Sequence, residues 1–203
     1  MIKLYKLYIL LFAAGAIYVT GCSSSKTSTE TEEKTETTSE RESESEAQRG
    51  TLIINAAKDE QANDMYSKEN DETKLYWLGN KVIHLKNRTK CNIFALNTLF
   101  KAGFKTPKTN ALSNDLADTS QFNDILPIIG ISEPESAKKG DLIAWNGHVI
   151  ILDYLVKLKQ DLYAMAWWAG TSQKDNGDNI VNNVVYGKYR LNGYFVIRRP
   201  VKD

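Results

Sequence analysis

The chain has 203 residues, with 26 basic and 25 acidic side chains and a formal net charge of +1. Residues 51–203 carry 20 basic and 17 acidic side chains, a balance too mild to indicate binding to nucleic acid, so no nucleic-acid partner is expected. No cluster of metal ligands and no phosphate-binding glycine loop is evident in the sequence. We therefore expect neither a metal nor a cofactor.

The chain begins with a segment typical of an export signal. Lys3 and Lys6 precede an apolar stretch at residues 7–18, which is shorter than the roughly 20 residues that span a membrane. The run Val19-Thr-Gly-Cys22 then resembles the lipobox of bacterial lipoprotein precursors. This resemblance implies a signal peptide at residues 1–21, cleavage before Cys22 and a lipid on the Cys22 thiol.

Residues 22–50 are predicted to form a disordered tether. From Ser23 to Gly50 the chain has 8 glutamates against 4 basic residues, and Ala47 is its one apolar side chain. Such a composition buries too little surface to offset the entropy lost on ordering. The remaining residues, 51–203, have the length of one globular domain.

Cys91 is the one cysteine left once Cys22 carries lipid, so an internal disulfide is excluded. Cap-type residues at 87–89 and apolar residues at helical spacing from Ile93 to Phe100 predict a helix that begins near Cys91 and ends before Gly103. A cysteine in a first helical turn faces unpaired N–H groups and the positive end of the helix dipole. We expect these to lower the pKa of the thiol, as a nucleophile requires.

His148 is the candidate base. The run Leu142 to Trp145 and the run His148 to Asp153 read as two strands joined by Asn146-Gly147, a typical type I′ hairpin turn. His148 is then the first residue of the returning strand, where its side chain could reach a helix N-terminus. Strand alternation places His148 on one face and Asp153 on the other.

Four segments in chain order resemble the NlpC-type papain-like cysteine peptidases of the cell wall, with the CHAP amidases as close neighbours. These segments are Tyr76-Trp-Leu-Gly79, Lys90-Cys-Asn-Ile-Phe-Ala95, Gly140-Asp-Leu-Ile-Ala-Trp145 and Gly147-His-Val149. The resemblance implies an α+β, papain-like fold, with N-terminal helices packed on a curved antiparallel sheet. The nucleophilic cysteine would lie at a helix N-terminus.

The same resemblance implies an activity and a place in the cell. Cys91 would be the nucleophile, His148 the base and Tyr76 a residue that lines the site and helps to hold the oxyanion. The substrate and partner would be the stem peptides of peptidoglycan, cleaved at an amide bond through a thioester. The lipid would anchor the protein in the envelope, in the outer membrane of a two-membrane organism or otherwise on the outer face of the cell membrane.

Two departures from the family leave alternatives open. Lys90 and Asn92 replace the Asp and Ser with which many members hold the amino end of the stem peptide. No His, Asn, Gln or Glu occupies the third catalytic position on the strand after His148, where Thr171, Ser172 and Asp153 are the uncertain candidates. A disabled site that only binds the wall or a partner protein is therefore one alternative, and acyl transfer on the same scaffold is another.

Trp167 and Trp168 have two readings in the sequence. Strand alternation places the two rings on opposite faces, so core packing accounts for at least one of them. An exposed ring near the site would be able to stack on a sugar or peptide of the wall.

Overall fold

The computed structural model describes residues 29–170 and 180–203. Residues 39–203 form one compact unit, and of residues 1–38 only the part from Thr29 is described, as the first turns of a helix. The signal segment and Cys22 lie outside the described residues. Among the described helices, none combines the length and the apolar character needed to cross a membrane.

Within the described ranges, three α-helices precede the strands of the main sheet in the chain. Helix α1 spans Thr29–Glu60, α2 spans Cys91–Lys101 and the short α3 spans Ser113–Ala117. Between α1 and α2, strands β1 (Glu72–Leu75) and β2 (Lys81–His84) form a separate two-stranded antiparallel sheet.

The main sheet is antiparallel, with six strands and a two-residue strand at one edge, in the order β3-β9-β4-β5-β6-β8-β7. The strands are β3 (Ile128–Ile131), β4 (Leu142–Trp145), β5 (His148–Leu158), β6 (Asp161–Ala169), β7 (Ile180–Val181), β8 (Val184–Arg190) and β9 (Val196–Arg198). The α+β class expected from the sequence is therefore confirmed.

The sheet buries side chains on both faces. On one face Val149 and Ile151 of β5 join the core that contains Ile93 and Leu96 of α2. On the other face Ile150 of β5 packs in a second cluster whose described residues come from the sheet strands and the segments beside them. Alternation along residues 149–152 explains the division, because successive side chains point to opposite faces.

The β4–β5 hairpin matches the sequence prediction in length but not in turn type. Trp145 and His148 are Cα partners across a two-residue turn. Gly147 has a φ of +100°, whereas Asn146 has no positive φ. A type I′ turn needs a positive φ at both central residues, so the predicted turn type is wrong.

The segment expected to be a disordered tether is helical from Thr29 onward, where α1 begins. Near residue 50 this helix is attached to the domain by charged side chains. Arg49 Nη1 donates to Asp141 Oδ1 at 2.9 Å, and Arg199 Nη1 pairs with Glu46 at 3.1 Å. Gly50 lies so close to Lys139 that a Cβ there would approach the Lys139 carbonyl oxygen to 2.5 Å. Composition misses these contacts because their partners lie about 90 or more positions away.

Candidate active site

Cys91 is the first residue of α2 and is 2% exposed. The first hydrogen bond of the helix runs from Phe94 N–H to the Lys90 carbonyl, so the N–H groups of Cys91 and Asn92 have no partner within the helix. The cap-type residues at 87–89 do not cap it, since the N-cap is Lys90 and no side chain caps the helix. Cys91 therefore lies beside backbone N–H groups that have no carbonyl partner within the helix.

The residues on either side of Cys91 hold the start of the helix in place. The Lys90 side chain is buried, and its Nζ donates to the carbonyls of Met65, Ser67 and Asn70 at 2.6, 3.0 and 2.8 Å. Asn92 Nδ2 donates to the Ala111 carbonyl at 2.8 Å. Both residues that depart from the family pattern thus bind the protein's own backbone.

The sulfur of Cys91 meets the sheet at the point where β5 and β6 separate. The ladder between these strands ends at the pair Ile151 and Trp167. Two residues before Ile151, the backbone N–H of Val149 lies close enough to the Cys91 sulfur to lower the pKa of the thiol. This contact brings α2 to the strand that His148 begins.

Burial determines the pKa of the Cys91 thiol. Desolvation raises this pKa above its ordinary value, and the hydrogen bonds from the N–H groups of Val149, Asn92 and Cys91 only partly offset it. The lowered pKa expected from the helix N-terminus is therefore wrong. A thiolate loses more hydration at this depth than the three N–H groups replace.

His148 is the first residue of β5 and immediately precedes the Val149 N–H that contacts Cys91. Burial lowers the pKa of its imidazole to about 4. The Nε2 atom is buried, and no residue in the described ranges hydrogen-bonds to it. The histidine is therefore neutral at pH 7, the form in which it can accept a proton.

Tyr189 is a member of this site that the sequence did not indicate. Its ring stacks on the His148 imidazole, with centroids 5.1 Å apart and planes inclined by 22°. Burial raises the pKa of the Tyr189 hydroxyl, and the negative charge of an ionised Cys91 raises it further. Residue 189 follows His148 by 41 positions, and no sequence motif linked the two.

The described hydrogen bonds and ring contacts of Tyr76 include those with the later part of α2 and with Asn63, and none of them is with Cys91. Tyr76 N–H donates to Asn97 Oδ1 at 2.8 Å, and Lys101 Nζ lies over its ring, 4.6 Å from the centroid. Lys101 is the last residue of α2, about 15 Å along the helix from Cys91. The Tyr76 hydroxyl accepts from Asn63 at 2.9 Å.

Asp153, one candidate for the third position, is engaged elsewhere. It accepts a hydrogen bond from the Tyr186 hydroxyl at 2.7 Å and pairs with Lys139 Nζ at 3.1 Å. Thr171 and Ser172, the other candidates, lie outside the described residues.

Both tryptophans of β6 are buried, Trp167 at 6% and Trp168 at 1% exposure. They belong to the clusters on opposite faces of the sheet, so core packing accounts for the pair. The Trp167 indole Nε1 has no hydrogen-bond partner in the described part of the chain.

Within residues 29–170 and 180–203, no three His, Cys, Asp or Glu side chains are grouped as metal ligands. Comparisons with models of known protein families, with curated proteins and with solved structures find no match.

Proposed function

We propose that this protein is a lipid-anchored cysteine amide hydrolase with a papain-like fold that acts on the stem peptides of peptidoglycan. One observation carries the proposal. Cys91 begins a helix, and its sulfur contacts the N–H of Val149, the residue directly after His148. This proximity supports assigning Cys91 as the nucleophile, neutral His148 as the base and the N–H groups at the start of α2 as donors to the oxyanion.

The proposed reaction has two steps. The Cys91 sulfur attacks the amide carbon while His148 takes the thiol proton, and the imidazolium then protonates the departing amine. Water next attacks the thioester with His148 as base, which releases a carboxylic acid and restores the thiol. The N–H groups of Cys91 and Asn92 are the candidate donors to the oxyanion of both steps.

The test is digestion of purified sacculi by the full-length protein in detergent, with released fragments identified by mass spectrometry. Wild type should release fragments cut at an amide bond. Cys91→Ala and His148→Ala should each abolish release, and the double variant should be scarcely worse than either alone, because a nucleophile and its base act as a unit. Normal release by Cys91→Ala would refute the proposal.

Two observations favour a second candidate, a papain-like module that binds the wall or a partner protein without cleaving it. No described hydrogen bond orients the His148 imidazole, and burial raises the pKa of the Cys91 thiol. In this case wild type and Cys91→Ala would sediment with sacculi alike, and neither would release fragments.

The anchor belongs to the proposal as well. Replacing Cys22 with Ala should move the protein from the membrane to the soluble fraction, because the one remaining cysteine, Cys91, is buried in the domain. Continued membrane binding of a normally processed variant would remove the lipoprotein assignment. Fractionation of inner and outer membranes would then locate the wild-type anchor.

A further inference from the structure

Within the described residues, the orientation of the His148 imidazole does not depend on a hydrogen bond. No described residue hydrogen-bonds to its buried Nε2. A general base has to face the proton that it takes, and in a catalytic triad the third residue ensures this by accepting from the imidazole. Some other contact has to restrict rotation of the His148 side chain.

Tyr189 makes the closest ring contact with His148 in the described structure. The two ring centroids are 5.1 Å apart and the planes differ by 22°. Trp145, the Cα partner of His148 across the hairpin, is farther away, at 6.5 Å and 34°. A near-parallel ring at this distance stabilises this orientation of the imidazole by dispersion, and rotation about the Cβ–Cγ bond would lose part of the stacked contact.

Tyr189 is itself held by two indoles. Its ring centroid lies 5.2 Å from that of Trp145 and 5.3 Å from that of Trp168, with an angle of 79° to the latter. Its Cα partner on β6 is Ala164, which has a small side chain. The Tyr189 ring, carried by β8, is thereby held by residues of β4 and β6.

We propose that Tyr189 is a positioning residue, whose ring holds the His148 imidazole in the orientation of a general base where other triads use a hydrogen-bonding third residue. The ring, and not the hydroxyl, carries this role. The inference rests on the proposed function of Cys91 and His148.

The test compares Tyr189→Phe, which keeps the ring, with Tyr189→Leu, which removes it, in the full-length protein in detergent. The matched control is Tyr154→Leu, because Tyr154 is on the same strand as His148 and is 52% exposed. Two quantities are measured: the rate of fragment release from sacculi, and the pH titration of the His148 imidazole by NMR. His84→Gln identifies the His148 signal, since the chain has two histidines.

Tyr189→Phe and Tyr154→Leu should match wild type in both measurements. Tyr189→Leu should slow release about tenfold or more, a part of the roughly 10²–10⁴-fold that a positioned base contributes. In the same variant the pKa of His148 should move up toward the ordinary histidine pKa of about 6.5, as water reaches the imidazole.

The positioning role is overturned if Tyr189→Leu leaves the His148 titration and the rate of fragment release unchanged. It is also overturned if Tyr189→Phe slows fragment release as much as Tyr189→Leu does. Thermal unfolding by circular dichroism checks that each variant folds, and Tyr189→Met provides a bulkier apolar replacement if the leucine variant does not. If wild type releases no fragments, the proposed hydrolase activity is wrong. If the NMR titration of His148 is unchanged in Tyr189→Leu, the positioning role of Tyr189 is wrong.

Discussion

Burial shifts the pKa values of Cys91 and His148 in opposite directions. It raises the pKa of the thiol and lowers that of the imidazole to about 4. Near neutral pH the two groups are therefore a thiol and a neutral imidazole and not an ion pair. Transfer of the thiol proton has to accompany attack on the substrate, as in a serine hydrolase.

The first prediction concerns alkylation of Cys91. Because burial raises its pKa, the rate with iodoacetamide should stay low at neutral pH and rise only above the ordinary thiol pKa of about 8.5. The rate measured as a function of pH decides this. The control is the same thiol in urea-unfolded protein, whose pKa should lie near the ordinary thiol value. A fast plateau below pH 7 would mean that a thiolate–imidazolium pair exists at rest.

The second prediction concerns acid stability. The folded His148 imidazole has a pKa of about 4, against about 6.5 in an unfolded chain. Between these values the unfolded state binds more protons, so the free energy of unfolding should fall as the pH falls from 6.5 to 4, by up to about 3 kcal/mol. Urea unfolding at a series of pH values measures this.

The matched comparison is His148→Gln, which removes the titrating group from the same position. Its unfolding free energy should be flatter over this pH interval than that of wild type. Equal slopes for the two proteins would show that other groups cause the acid sensitivity. Above pH 6.5 the two curves should run parallel, because His148 is then neutral in both states.

At the scale of elements, the start of α2 is held by a buried amino group. Lys90 Nζ satisfies three carbonyls of the 65–70 segment, and Gly170 at the end of β6 is packed so closely that a Cβ there would come within 2.8 Å of Thr89. The position of Cys91 therefore depends on contacts with two other parts of the chain.

The third prediction is that Lys90→Met lowers the free energy of unfolding by roughly 2–4 kcal/mol, because it leaves three carbonyls without their shared donor. Equilibrium unfolding in urea measures the loss. Lys105→Met, at an exposed position just after α2, is the control and should change the free energy by less than about 0.5 kcal/mol. Similar losses in the two variants would show that the buried contacts of Lys90 contribute nothing specific.

At the scale of the molecule, a cluster of charges attaches residues 46–49 to the domain. Asp141 is fully buried. Its carboxylate pairs with Arg49 at 2.9 Å and with Arg199 at 3.0 Å, and it accepts from Lys138 N–H at 2.7 Å. Glu46 pairs with Arg199 at 3.1 Å and also with Lys138. Because Asp141 directly precedes β4, the cluster joins the end of the acidic segment to the central hairpin.

The fourth prediction follows from this cluster. A chain that begins at residue 51 loses Glu46 and Arg49, so Asp141 keeps one of its two arginines. Compared with a chain that begins at residue 44, we expect an unfolding free energy lower by roughly 1–3 kcal/mol. Differential scanning calorimetry of the two chains measures the difference.

The single variant Arg49→Met in the longer chain isolates the ion pair and should account for most of that loss. If the chains that begin at residues 44 and 51 have the same melting temperature, the boundary at residue 51 suggested by composition describes the stable domain correctly.

Local signals in the sequence determined the elements around the candidate site. The apolar spacing after Cys91 and the glycine at position 103 predicted α2, which spans Cys91–Lys101. The two apolar runs on either side of Asn146-Gly147 predicted the β4–β5 hairpin and placed His148 first on its strand. These features depend on the backbone preferences of neighbouring residues, which a sequence displays directly.

The tertiary structure decided which side chains meet and how much water reaches them. Tyr189 stacks on His148 across 41 positions of sequence, Arg49 pairs with Asp141 across 92, and Tyr76 lies toward the far end of α2 from Cys91. The prediction that the pKa of Cys91 is lowered was wrong for the same reason. A helix N-terminus is a local feature, whereas desolvation of the thiol depends on every segment packed around it.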